Sequence, residues 1–432
     1  MNTPQRTLFE LYAEDPLRAD EQVFGRRSYP DRRGFLKGAG LATMAALLGG
    51  AIPFHRNLPA GLIPVALAEQ ALQLDGKDGL ILLSDRPLNA ECRADLLDDE
   101  VTPTARHFIR NNGNPPLQSD AGRWMLEIDG EVERPLKLGI ADLRRNFEVV
   151  KLRLQLECGG NGRAFFDPKA RGNQWTLGAV ACSEWTGVRL ADLLKAAGLK
   201  PGAVYTAHYG ADTHLSGDEE KEPLSRGVPI AKALSPYNLV AFEQNGAPLH
   251  PMNGAPLRLV VPGWPGSCSQ KWLTRIRIRD GVHDGAKMTG TSYRVPEFPV
   301  APGEKVPAEA LRIIESMPVK SLITAPASGV QVAAARPELE VRGHAWAGDD
   351  SVRVVELSID FGASWTPAEL RAPANPYAWQ RFRARLRFPT KGYYEVWARA
   401  TDDRGRMQPF VSPWNPGGYV NNQIHRIAVR VA

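Results

Sequence analysis

Four prolines fall within residues 296–307, and two different sequence patterns meet across that segment. Proline fixes φ and removes a backbone donor, so such a run ends helices and central strands and marks a boundary. On its C-terminal side, residues 338–346, 352–359, 379–388 and 392–401 are alternating, β-branched or aromatic runs separated by Gly, Pro and Asp turns. That spacing predicts an immunoglobulin-like all-β sandwich over 306–432, with 360–362 as a hairpin turn and the tryptophans in the core. On the N-terminal side, over 106–305, short β-rich runs at 124–128, 149–156, 257–261 and 272–278 are interspersed with helical ones. The clearest helix is expected over 189–197, where Leu190, Leu193 and Leu194 recur at helical spacing before Gly198. Without a regular β-α repeat the fold class reads as α+β. A chain of 432 residues exceeds one ordinary core, and 43% hydrophobic with 23% charged residues is a globular composition,.

Residues 31–37, Asp-Arg-Arg-Gly-Phe-Leu-Lys, form a twin-arginine signature, followed by an apolar stretch over 41–52 and a small-x-small cleavage pattern at Ala66-Leu67-Ala68. Together they predict a signal peptide over 1–68, a mature chain from Glu69 and a periplasmic location. The apolar stretch is too short to span a membrane. A surface helix with two chance arginines would leave the cleavage pattern unexplained. Because this route carries folded proteins, a cofactor loaded before export is expected. Residues 69–105 are expected to form an extended arm, acidic around 95–100, with no chemistry assigned to it.

Two of the five net positive charges belong to residues 1–68, which hold eight Lys or Arg against six Asp or Glu. No dense basic patch interleaved with aromatic residues remains, so nucleic acid is not an expected partner. Four cysteines, Cys92, Cys158, Cys182 and Cys268, allow three pairings, and spacing does not choose among them,. None sits in a C-x-x-C or C-x-x-C-H unit, so neither a structural zinc site nor covalently attached haem is expected.

The densest chemical constellation is Gln155-Leu156-Glu157-Cys158-Gly159-Gly160-Asn161-Gly162-Arg163, at the end of an expected strand. Glycines permit close backbone approach to a large ligand. A thiolate is a soft metal ligand, and arginine is a permanent cation with a planar donor fork for an oxyanion. Alone, a cysteine in a glycine-rich turn is an ordinary structural feature. Three further segments supply cations and amides suited to a pterin and its phosphate: Phe108 to Asn112, Asn253 to Arg258, and Ser269-Gln270-Lys271-Trp272,.

On these residues the chain resembles the sulfite oxidase family of molybdenum enzymes from about residue 106 to its C-terminus. The resemblance implies a molybdenum–molybdopterin cofactor and places Cys158 at the metal-ligand position. Arg110 and Arg163 match substrate-pocket arginines, Tyr293 the active-site tyrosine and Trp175 a pocket tryptophan. For the pterin it implies contacts from Arg110, Asn111, Asn112, Asn253, Arg258, Ser269, Gln270 and Lys271. Cys182 stands where relatives often have a threonine near the cofactor. Residues 341–346, 357–365 and 414–416 resemble the family's dimerisation domain, which implies a homodimer.

Two positions depart from the pattern. Asn112 stands where sulfite-oxidising relatives commonly have a histidine, and Gly417 where the animal enzymes have a sulfite-binding arginine. The stretch Arg110 to Gly113, the Cys158 turn and residues 418–423 look most like the molybdenum subunit of the sulfane dehydrogenase of bacterial thiosulfate-oxidising systems. That implies a sulfane sulfur on a carrier protein as substrate, with a free sulfite dehydrogenase as the alternative. With no haem motif in the chain, a separate c-type cytochrome is the expected electron acceptor. A methionine sulfoxide reductase of the same fold typically lacks the sandwich, and a cofactor-free β-sandwich binding module would leave Cys158, Arg163, Arg258 and Lys271 unexplained.

Overall fold

The computed structural model describes residues 72–117 and 119–432. The expected leader lies outside the described residues. Among them, no helix is long and apolar enough to cross a membrane.

The mixed region is built on two sheets. In one, Val149–Glu157, Val180–Arg189, Leu239–Gln244 and Arg258–Val260 lie side by side in that order, each antiparallel to the next. In the other, the order is Leu136–Gly139, Met125–Gly130, Leu273–Arg279, Tyr205–Gly210, and Leu273–Arg279 runs parallel to Met125–Gly130. The fold is thus α+β, with few helices. The expected helix forms over Leu190–Ala197 and ends at Gly198, whose φ of 71° lets its N–H reach the Leu194 and Lys195 carbonyls,. Its Leu190, Leu193, Leu194 and Ala197 are fully buried against Leu126, Ile128 and Leu259 of the sheets. Each leucine contributes roughly 1.5–3 kcal/mol of burial.

The C-terminal region is a two-sheet sandwich. One sheet orders Lys320–Ala325, Glu338–Trp346, Gln380–Arg387 and Glu369–Leu370, the other Val330–Val332, His425–Val431, Gly392–Asp402, Val352–Ser358 and Thr366–Pro367. Alternation in the sequence translates directly: Val341, Phe382, Val355, Val396 and Val429 face one another in the core,. The expected turn at 360–362 forms, with Phe361 and Gly362 both at positive φ. Of the tryptophans expected in the core, Trp346 is buried. Trp365 instead lies half-buried beneath the Arg399 guanidinium, 3.9 Å away, and Trp414 donates its indole N–H to the Pro168 carbonyl. Both indoles satisfy their polar edge at the surface, which a core site would forbid.

The segment expected as an extended arm is instead a β-hairpin, Leu80–Asp85 with Leu88–Cys92. Its buried Leu80, Ala90 and Cys92 seat it on Ile109, Val180 and Cys182. The Asn89 side-chain oxygen accepts the Asn111 N–H at 2.9 Å, and the Glu91 carboxylate accepts the N–H groups of Thr176 and Gly178. Lys77, just before the hairpin, donates to the Asn253 side-chain oxygen at 2.5 Å and to the Thr104 and His107 carbonyls. The hairpin and its lead-in therefore brace three loops that the sequence marks as functional.

The mixed region and the sandwich are joined by a buried ion pair. The Glu157 carboxylate, in a residue 2% exposed, accepts from Lys320 Nζ at 2.9 Å, Asn161 Nδ2 at 2.9 Å and Trp346 Nε1 at 2.7 Å. Removing one partner of such a pair strands a charge in the interior and costs about 3–5 kcal/mol. Lys320→Met should lower urea-unfolding stability by that amount, and adding Glu157→Gln should recover part of it. A loss below about 1 kcal/mol in the single variant would mean that water reaches the carboxylate.

Candidate active site

Cys158 directly follows the strand Val149–Glu157, where the chain turns away from the sheet. Its N–H donates to the Ala179 carbonyl at 2.9 Å, and the Gly160 N–H donates to its sulfur at 3.4 Å. The glycines of the turn do not face an open cavity. A Cβ on Gly160 would stand 2.7 Å from the Arg163 guanidinium, and one on Gly162, at φ 93°, 2.7 Å from Asn421. They make room for an arginine folded back over the turn and for the C-terminal tail.

Cavities open on both sides of this turn, and Arg110, Asn112, Cys158 and Tyr293 line both. The first, about 590 Å³ with the solvent at its mouth included, is lined further by Asp212, Asn253, Arg258, Ser269, Gln270 and Lys271. Its charge is one-sided. Burial pulls the Arg258 guanidinium down to about 9, and burial with the neighbouring Arg258 charge pulls Lys271 well below its usual range and Lys77, behind the wall at Asn253, down to about 7. Asp212, the one carboxylate lining this side among the described residues, is pushed up to about 6 by burial against the pull of Lys271. Arg258 Nε, Gln270 Oε1, Ser267 Oγ and Asp212 Oδ1 are buried with no hydrogen-bond partner among the described residues. Unpaired buried polar groups cost about 1–3 kcal/mol each, so this surface is complementary to something absent from the protein itself. A large anionic ligand with ring donors and acceptors meets these needs together: phosphate oxygens for Lys271 and Arg258, and donors or acceptors for Gln270, Ser267 and Asp212. A metal bound beside it has one protein thiol in reach, Cys158, and must bring its other donors. The residues fit a molybdenum–molybdopterin group.

The second cavity, about 710 Å³, is lined by Arg163, Trp175, Lys287 and Tyr419 besides the shared residues. Arg163, 7% exposed, donates from Nε to the Gly417 carbonyl at 3.0 Å and from Nη1 to the Asn173 carbonyl at 3.2 Å, and its guanidinium lies 4.8 Å from the Tyr419 ring centre. Arg110 Nη2 donates to Asn112 Oδ1 at 2.8 Å and to the Tyr293 hydroxyl at 3.3 Å. The Tyr293 and Tyr419 rings are 5.4 Å apart, and burial, with Tyr293 beside it, raises the Tyr419 phenol. Trp175 is fully buried with its indole N–H unpaired.

The folded chain thus brings together Arg110, Asn111, Asn112, Cys158, Arg163, Trp175, Asn253, Arg258, Ser269, Gln270, Lys271 and Tyr293. Within that set, Asn111 Oδ1 accepts from Lys271 Nζ, Asn253 is held by Lys77, and Ser269 Oγ accepts the Val261 N–H at 2.9 Å. Cys182 is not brought to either cavity. Its thiol lies in the apolar cluster with Cys92, Leu322, Trp346 and Trp379, where burial pushes it up to about 12. All four cysteines are free and buried. Sequence reasoning missed Asp212, Lys287, Tyr419 and Lys77. Tyr419 was visible within the 418–423 tail; the others stand in loops with no periodic or motif signal.

Comparison with known proteins agrees with this geometry. Residues 112–287 match the oxidoreductase molybdopterin binding domain, and residues 311–432 the Mo-co oxidoreductase dimerisation domain. Mitochondrial sulfite oxidase of Drosophila melanogaster is 33% identical over 369 residues, covering 81% of this chain and 62% of its own length. Sulfite oxidase of Gallus gallus is 31% identical over 360 residues, covering 81% of this chain and 77% of its own. The chain therefore spans less than two thirds of the Drosophila relative. The solved sulfane dehydrogenase SoxCD from Paracoccus pantotrophus superposes over 100% of both chains with a TM-score of 0.67 and 25% identity. With both domain models matched in succession and relatives above 30% identity covering 81% of it, the chain belongs to the sulfite oxidase family of molybdopterin oxidoreductases.

Proposed function

We propose that this chain is a periplasmic molybdenum-dependent dehydrogenase that oxidises a reduced sulfur group, preferentially a sulfane sulfur carried on a partner protein, and passes the electrons to a c-type cytochrome. One observation carries the reading: a single thiol, Cys158, stands where a cavity of uncompensated buried cations meets a second cavity walled by Arg110, Arg163 and Tyr293. Residues 106–305 form the catalytic domain in this reading and 306–432 the dimerisation domain, after a twin-arginine leader over 1–68.

The pterin side is held by Arg258, Lys271, Gln270, Ser269 and Asn253, with Asp212 as an acceptor for ring N–H groups, and Cys158 holds the metal. Bound there, the molybdenum–pterin group supplies two-electron oxygen-atom chemistry at sulfur. Arg110 and Arg163 bind the oxyanion that develops on the substrate, and both are positioned in advance by protein carbonyls,. The Tyr293 hydroxyl, held between Arg110 and Asn112 Oδ1, donates a hydrogen bond at the junction of the two cavities. Trp175 offers an unpaired N–H from the wall.

The choice of sulfane over free sulfite rests on the second cavity. Where the animal enzymes carry a sulfite-binding arginine, Gly417 gives only a carbonyl, which Arg163 uses, and the Tyr419 ring covers the adjacent wall. A planar guanidinium fork missing at this position and an aromatic wall beside it favour a thiol-borne sulfur over a small dianion that needs bidentate donors. The homodimer is supported by Phe361, Met407, Phe410 and Val411, which are 49–60% exposed, with Phe361 and Phe410 packed on either side of Trp397,.

Metal and pterin analysis of exported protein, wild type beside Cys158→Ser, with sulfite-dependent cytochrome c reduction assayed on the same samples, tests the reading. The expected result is molybdenum and pterin in the wild type, feeble sulfite turnover, and loss of that turnover in the variant. Strong sulfite turnover would instead identify a free sulfite dehydrogenase, and exported protein without molybdenum or pterin would sink the proposal.

The buried cations generate a pH prediction for protein made without cofactor. Arg258 in the cavity wall is pulled down to about 9 by burial and Lys77, behind Asn253, to about 7 by burial and the Arg258 charge, so an anion bound at Arg258 favours the charged form of both and its binding takes up protons,. Sulfate affinity should be greatest below about pH 7 and fall as pH rises to 9 and beyond, with a binding enthalpy that depends on the buffer's ionisation heat. Affinity flat across that range would mean that the cations are already paired.

A further inference from the structure

Lys287 lines the second cavity and lies at the end of the matched molybdopterin-binding span, outside the short motifs that the sequence singles out. Its Nζ donates to Asn112 Oδ1 at 2.7 Å. That same amide oxygen also accepts from Arg110 Nη2 at 2.8 Å and lies 3.5 Å from the Tyr293 hydroxyl. Two cations and a phenol therefore converge on one neutral acceptor, so neither cation is met there by a direct ion pair.

The three cavity cations with buried or half-buried side chains differ in how far the protein has committed them. Arg163 is tied to the Gly417 and Asn173 carbonyls, and Arg110 to Asn111, Asn112 and Tyr293. Lys287 has three N–H bonds and uses one, on Asn112; the Asp212 carboxylate acts on it through space without a direct ion pair among the described residues. Arg171, the remaining cation of the wall, is exposed at the rim.

The backbone is arranged to hold this ammonium in place. Lys287 has φ 65°, a left-handed conformation unusual for a residue with a Cβ,. The fully buried Arg226 donates from Nη1 to the Lys287 carbonyl at 3.0 Å, and the neighbouring Ser225 N–H donates to the Ala286 carbonyl at 3.0 Å. A strained residue persists when its surroundings over-determine it, and such residues cluster where a side chain must be presented.

We propose that Lys287 is a substrate-binding residue, the third cation of this cavity, which takes one oxygen of an anionic sulfur group alongside Arg110 and Arg163. This rests on the reading of the second cavity as the substrate side and adds a specificity determinant to it. The ammonium recovers, from a different loop, positive charge that Asn112 and Gly417 do not provide.

The test is Lys287→Met and Lys287→Arg in the cofactor-loaded protein, with molybdenum content measured on each sample. Inorganic sulfate is the probe by calorimetry at fixed ionic strength, and sulfite KM and kcat are measured beside it. In loaded protein the Arg258 and Lys271 side is already filled, so sulfate reports the second cavity. Loss of one charged hydrogen bond should weaken sulfate binding in Lys287→Met by roughly tenfold to a hundredfold. Sulfite KM should rise by a similar factor with kcat much less affected, and Lys287→Arg should restore most of both. Sulfate affinity and KM within twofold of wild type in fully loaded Lys287→Met would overturn the proposal. So would loss of molybdenum with sulfate affinity intact, since that assigns the residue to the cofactor side. Wild-type protein without molybdenum would defeat the functional reading instead, while sulfate affinity that still falls in Lys287→Met would keep the anion site.

Discussion

The Glu157 carboxylate is the point through which the rest of the structure is registered. It immediately precedes Cys158, is almost wholly buried, and takes its donors from both sides of the molecule: Asn161 from the cysteine turn, Lys320 and Trp346 from the sandwich. A buried ion pair adds little net stability compared with apolar packing, but it is exacting about geometry, because a displaced partner leaves a charge in a low-dielectric interior. Placed beside the one thiol of the site, that exactness fixes the turn to the sandwich. The same turn receives the Val420 N–H on the Gly159 carbonyl at 2.8 Å and the Arg163 side chain on the Gly417 carbonyl. The C-terminal sandwich, which matches the family's dimerisation domain, is therefore also a wall of the active site.

Against that tightly satisfied junction, the first cavity is conspicuously unsatisfied. Lys77, Arg258 and Lys271 are crowded together with Asp212 as the carboxylate opposing them, and burial depresses all three cations. A protein interior does not normally keep unpaired polar atoms on Arg258, Gln270, Ser267 and Asp212 side by side,. Folding has left a surface whose electrostatic and hydrogen-bonding demands only a bound group can meet, and that group stabilises the folded state by as much as it binds. The proposed loading before export fits a chain whose interior is completed by its cofactor.

The parts of this molecule that were legible in the sequence are those governed by local periodicity or by a compact motif. Strands of the sandwich followed from alternation, and the Leu190–Ala197 helix from three leucines and a glycine. Cys158, Arg163, Arg258 and Lys271 were visible because their segments carry chemistry in a short span. The hairpin at 80–92 was read as an extended arm, because its strands are short and what they bury against, Ile109 and Val180, is distant in sequence. Cys182 was read toward the cofactor, yet it sits on the opposite face of its strand from the cavities, among apolar neighbours. The glycines of the cysteine turn were read as space for a ligand, whereas the space is taken by Arg163 and Asn421. Asp212 and Lys287 had no local signal at all, since each acquires meaning only when tertiary structure sets it beside Asn112 or Lys271.

Two of the six left-handed non-glycine residues among the described residues fall in one loop. Lys287 and Tyr293 both have positive φ, six residues apart, and both side chains return to Asn112 Oδ1. A left-handed non-glycine residue costs about 1–2 kcal/mol, so two of them in one short segment need compensation. Arg226 provides it twice, with a hydrogen bond to the Lys287 carbonyl and a guanidinium 5.0 Å from the Tyr293 ring centre. Its Nε and Nη2 are themselves buried without partners, which is a further cost. A fully buried arginine with at least three of its five N–H donors unmet among the described residues is a poor choice for stability alone,. It is intelligible as the support that holds an ammonium and a phenol at fixed positions on the same acceptor, so that the cavity presents its charge without rearranging when a substrate arrives.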